Sequence, residues 1–216
     1  MQQNNNQYHK FIVALEIVYS LFLAAGLSTL LLGAQFELSY WALVIICVLT
    51  LIRFFFAPSK NIELLLDKIG ESRIEKEEKE KKYRFVLLFD TPVLFIHAIL
   101  FTMMCKFAKD KTGYTAFFYI FFALLVINFT WLKFIYYRIN ELKLKCKDNI
   151  SFWAKNNIQF AIPIGIIVFL ILPVGKSILR EDLFIVIRFI CFVALFVLAF
   201  LNCRRDLWNT YSWIKL

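Results

Sequence analysis

In 216 residues the chain is 61% hydrophobic, with 25 phenylalanines against 6 glycines and 4 prolines. Soluble domains hold roughly 45–50% apolar residues, so a soluble domain of ordinary size is excluded and the chain reads as one polytopic membrane domain. Its net charge of +9 is topogenic rather than a nucleic-acid footprint, because Lys and Arg crowd the cytoplasmic loops of membrane proteins.

Crossing a hydrocarbon core of ~30 Å at ~1.5 Å per residue takes about 20 apolar residues. The first candidate run, residues 11–33, follows a polar leader (MQQNNNQYHK) and carries Glu16. It exceeds the roughly 7–15 residues of a signal-peptide core and is read as a membrane helix. A short connection returns the chain into residues 40–57, with Arg53 near the end of the run and Pro58 just beyond it. Residues 59–83 form the one strongly charged stretch, in which Ser59 to Lys82 holds seven basic and seven acidic residues. Its Glu75/Lys79, Glu77/Lys81 and Glu78/Lys82 pairs stand four apart in the favourable order. Gly70 and a Ser72–Glu75 capping box predict a break and a fresh helix start there. The expectation is a solvated helical extension without an apolar face beyond Gly70, or a docking surface for a protein partner.

The third run, residues 84–106, contains Asp90, Pro92 and His97. The fourth, residues 114–137, contains Asn128, Trp131 and Lys133. The fifth, residues 152–174, contains Pro163 and Gly165, both tolerated in membrane helices. The sixth, residues 183–201, carries Arg188, which is expected to reach outward to the interface, and a polar, aromatic tail follows. The fold class is therefore all-α: six transmembrane helices in three hairpins, with a charged cytoplasmic extension between the second and third spans. With the N-terminus inside, eighteen Lys and Arg fall on the cytoplasmic side and five on the other. That bias places both termini in the cytoplasm. Trp131, Trp153, Trp208 and Trp213 then lie at the inner interface and Tyr40 and Trp41 at the outer one, as aromatic belts do.

Four polar residues reach one depth. Glu16 stands six past Lys10, Asp90 six past Arg84, Arg53 five before Pro58 and Asn128 five before Lys133. Each sits about 7–9 Å inside the cytoplasmic interface. A charge there is costly unless it meets a partner or water, so Arg53 is expected to be the counter-ion of Asp90, Glu16 or both, with Asn128 as a neutral hydrogen-bonding partner. Such a cluster either fixes helix register or lines a cavity that binds an ion, proton or anion. His97, seven residues beyond Asp90, either relays a proton or hydrogen-bonds a neighbouring helix.

The polar positions also hint at a repeat of the hairpins. Glu16 falls on Asp90 at a shift of 74, and Arg53 falls on Asn128 and then on Asn202 at shifts of 75 and 74. Ile164 stands where the third hairpin needs an acid. Chance among helices of one length and composition explains the same match.

Catalytic signatures are missing: there is no Walker loop, HExxH or EF-hand loop. Two histidines cannot build a His-rich metal site, and five cysteines without CxxC spacing suggest neither a disulfide framework nor a metal centre. No enzyme, cofactor or metal is expected. The chain reads as a channel or transporter for an ion or small solute in a bacterial cytoplasmic membrane, forming a homo-oligomer because six short helices enclose little space. The alternative is a non-transporting membrane subunit, a sensor or effector that docks a protein partner through Ser59 to Lys82. In either case the lipid bilayer is a partner and nucleic acid is not.

Overall fold

The computed structural model describes the backbone of residues 2–32, 38–71, 75–108, 114–141 and 147–211, with the side chains of Glu16 and of residues 54–65 among those left undescribed. The described elements are all helical: α1 (Gln2–Leu31), α2 (Leu38–Glu71), α3 (Lys76–Ala108), α4 (Tyr114–Glu141), α5 (Lys147–Ile166), a π-helical turn (Ile167–Ile171), α6 (Leu172–Ile178) and α7 (Glu181–Tyr211). Four stretches are long and apolar enough to cross a membrane: Glu77–Ala108, Tyr114–Arg138, Ser151–Ile178 and Glu181–Trp208. The apolar parts described in α1 and α2 are shorter, Ile17–Leu31 and Leu38–Arg53. Outward-facing side chains stay apolar. On α7 alone Val186, Phe189, Ile190, Val193 and Val197 are exposed, a face compatible with lipid.

The helices do not simply pair off as consecutive hairpins. α2, α3, α4, α5 and α7 pack in that order, and α7 closes back on α2. The result is a ring of five helices, with α1 outside it against α2 and α3. Lipid tails are as apolar as leucine, so close van der Waals packing must hold such helices together. Small residues provide it. Ala154, Ala161 and Gly165 share one face of α5, and a Cβ on Gly165 would lie 2.9 Å from Cε2 of Phe122 on α4. On α1, a Cβ at Gly26 would lie 3.2 Å from the Phe101 ring and 3.3 Å from the Thr102 backbone of α3. Phe101, Phe117, Phe118 and Phe121 fill the interior and are fully buried.

Pro163 in α5 has no N–H to give the preceding turn, and the helix widens shortly after it. The Leu172 N–H donates to the carbonyl of Ile167, five residues back, as in a π turn. The carbonyl of Val168 accepts the hydroxyl of Tyr119 on α4 at 3.2 Å, so the bulge gains a partner across the helix pair.

Two expectations about the helix ends change. The polar leader is not separate, since α1 is helical from Gln2. α2 does not stop near Ala57 but continues to Glu71. Before Gly70 the charged segment has an apolar face: Leu66 and Ile69 are buried, as are Tyr83 and Val86 of α3. Their burial explains why α2 outruns the membrane-length run. Lys79 Nζ donates to the Gly70 carbonyl at 2.8 Å, and the Tyr83 hydroxyl lies 3.0 Å from where a Gly70 Cβ would be. Two of the expected pairs form, Glu77–Lys81 at 2.8 Å and Glu78–Lys82 at 3.0 Å; being exposed, each contributes only tenths of a kcal/mol. Residues 72–74, and with them most of the proposed capping box, lie outside the described residues.

Candidate functional site

Helical periodicity builds the site. On α7 the buried positions Cys191, Leu195, Ala199 and Cys203 recur every four residues, and Asn202 and Asp206 prolong that face. Opposite them α5 presents Asn156 and Asn157, and α2 presents Arg53. Arg53 is only 4% exposed. Its Nη2 ion-pairs with Asp206 Oδ2 at 2.5 Å and donates to Asn157 Oδ1, while Nη1 donates to Asn202 Oδ1 at 2.5 Å. Asn156 Nδ2 donates to Asp206 Oδ1 and to the Asn202 carbonyl at 3.3 Å. Asn157 Nδ2 returns to its own helix at the Trp153 carbonyl, 2.7 Å away. One turn from Arg53, the Thr50 hydroxyl meets the Cys203 thiol at 3.7 Å. A guanidinium fork thus ties α2, α5 and α7 together, the geometry to which Arg is better suited than Lys.

A second ion pair joins α3 and α4. Asp90, 1% exposed, accepts the Trp131 indole N–H at 2.7 Å and Arg138 Nη2 at 2.6 Å, both on Oδ1. Trp131 and Arg138 are seven residues apart and so share a face of α4. The guanidinium lies 4.7 Å from the Phe134 ring centroid, 5.7 Å from Phe85 and 5.9 Å from Phe89. That aromatic box favours a cation already shielded from water. His97 lies edge-on to Trp131 at 5.9 Å between ring centroids.

The expected cluster is regrouped by the structure. Arg53 and Asp90 are both buried, but Asp206 is the counter-ion described for Arg53 and Arg138 the one described for Asp90. The cause is that α7 closes the ring beside α2, so Asp206 reaches Arg53 from the far end of the chain. Asn128 is buried on α4, and the side chain of Glu16 lies outside the described residues. Trp131, expected in the interfacial belt, is buried as a donor to Asp90, whereas Trp208 is exposed. Arg188 folds onto Tyr114, with Nε donating to the hydroxyl at 2.9 Å and the guanidinium 4.9 Å from the ring. That contact holds it at the N-terminal end of α4. Asp206, Arg138, Asn156 and Asn157 were missed as site residues. The signal for Asp206 was the four-residue stripe of α7, which does not stop where the hydrophobicity does.

Several polar atoms of this layer have no hydrogen-bond partner among the described residues: Asp90 Oδ2, Asn156 Oδ1, Asn202 Nδ2, and Arg138 Nε and Nη1. Among the described residues no group of three or more His, Cys, Asp or Glu side chains could hold a metal ion. No family model, curated protein or solved structure matches this chain.

Proposed function

We propose that this protein is a channel or transporter for a small solute or ion in a bacterial cytoplasmic membrane. The observation that supports it is the incomplete bonding of the polar layer. A lock that only fixes helix register does best with every buried donor and acceptor filled, and each one left empty costs about 1–3 kcal/mol. Unfilled atoms at membrane depth favour a site whose missing partner comes and goes. Five helices already enclose the layer within one chain, so a homo-oligomer is compatible with this reading but not required by it.

In this proposal α1 and α2 also cross the bilayer, giving six spans with both termini in the cytoplasm. A reporter active only in the cytoplasm should work when fused after Leu216 and fail when inserted near Lys109 or Lys176. The inverse pattern would reverse the orientation. Function is tested by reconstituting the purified protein in liposomes and following solute and ion fluxes against empty vesicles; no flux of any kind would remove transport.

A second reading has its own support. The ends of α2 and α3 pack together through Leu66, Ile69 and Tyr83 and so offer a shaped surface rather than a loose charge run. A non-transporting subunit that docks a protein there would show no flux, and substitutions on the exposed Glu77, Glu78 and Lys81 would release its partner.

A further inference from the structure

We infer that the polar layer takes a small neutral solute carrying both a hydrogen-bond donor and an acceptor, of the amide or hydroxyl class, and does not take an ion. The inference rests on the transport reading and narrows it to a substrate class. Its first ground is charge. The charged side chains described inside the layer come as two pairs, Arg53 with Asp206 and Arg138 with Asp90, so they sum to zero; Arg205, which also acts on Asp206, is exposed and donates to Gln159. An ion entering would bring a net charge into a low-dielectric site where every opposite charge already has a partner.

The second ground is the orientation of the amides, which their partners settle. Only the oxygen of Asn202 can accept from Arg53, so its NH2 is the group left over. The NH2 of Asn156 is used by Asp206 and by the Asn202 carbonyl, so its oxygen is left over. Asn157 has both ends filled, by Arg53 and by the Trp153 carbonyl. Among the three asparagines, what remains is one donor and one acceptor, Asn202 Nδ2 and Asn156 Oδ1, both without a partner among the described residues. Asn202 is 0% and Asn156 1% exposed, and the 3.3 Å contact between them holds the two residues side by side on α7 and α5. A molecule that donates to one and accepts from the other completes the asparagine set around Arg53 without adding charge.

Urea is the probe, because it presents both groups in a small neutral frame. Stopped-flow light scattering of proteoliposomes should show urea permeability about tenfold above empty vesicles, while K+ and Cl− fluxes stay at background. Asn202→Asp is the informative variant. It keeps an oxygen for Arg53, replaces the free donor by an acceptor and leaves a surplus negative charge, so urea permeability should fall at least tenfold. K+ or Cl− flux without urea flux would overturn the inference and leave transport standing. Urea flux that Asn202→Asp does not change would also overturn it, since the path would lie elsewhere. Neither urea nor ion flux would remove the transport reading itself. The wild-type comparison of urea with ions decides the substrate class even if the variant does not fold.

Discussion

Replacing Arg53 by methionine is expected to lower the unfolding free energy in detergent micelles by about 3–5 kcal/mol. The loss comes mainly from what is left behind: Asp206 would stay buried next to Asn156 without its counter-charge. Adding Asp206→Leu to Arg53→Met should recover most of the loss, because a buried ion pair exchanged for apolar side chains is often close to neutral. The coupling energy between the two substitutions should then far exceed the ~0.3–0.5 kcal/mol scatter of independent sites. Denaturant unfolding of the four proteins of the cycle measures it. Additive losses would mean that α7 does not close the ring on α2 at Arg53.

The second large effect is expected at Arg138. Arg138→Met strips Asp90 of its ion pair and empties the box of Phe85, Phe89 and Phe134. The cost should be about 3 kcal/mol for the uncompensated carboxylate and about 1 kcal/mol for the lost cation–π contacts. Asp90→Asn in the same chain should restore most of the first part, since the amide oxygen still accepts from Trp131 Nε1. Thermal unfolding followed by Trp fluorescence reads both variants. If Asp90→Asn gives no recovery, the Arg138 effect does not run through Asp90.

How much of this was legible depended on where hydrophobicity and periodicity part company. The apolar runs placed every long helix, because spanning length leaves few alternatives. Asp90 and Arg53 stood out as charges inside such runs, and both are buried. Their partners were hidden because they lie past the ends of the runs or close to them. Asp206 sits five residues beyond the expected end of the sixth span, and Asn156 and Asn157 sit in the first, polar part of the fifth. Arg138 was counted among topogenic charges, although it falls seven residues after Trp131 on one face. Pairing by equal depth could not choose among helices, because depth along a helix says nothing about which helices are neighbours. Neighbourhood is set by ring closure, which brings α7 against both α2 and α5. In the charged segment Leu66 and Ile69 are outnumbered by Lys and Glu, yet two buried residues and Tyr83 suffice to fold the segment back.

Arg53 and Asn202 touch although 149 residues separate them along the chain, and this imposes an order on biosynthesis. At roughly 5–20 residues per second, the ribosome delivers α7 some seven to thirty seconds after α2 has emerged. Until α7 emerges Arg53 lacks Asp206, and until α5 emerges it lacks Asn157 as well. A long side chain can keep its charge wet in the meantime. The last helix therefore supplies the second with its buried counter-charge, and the ring of five helices closes only late in synthesis.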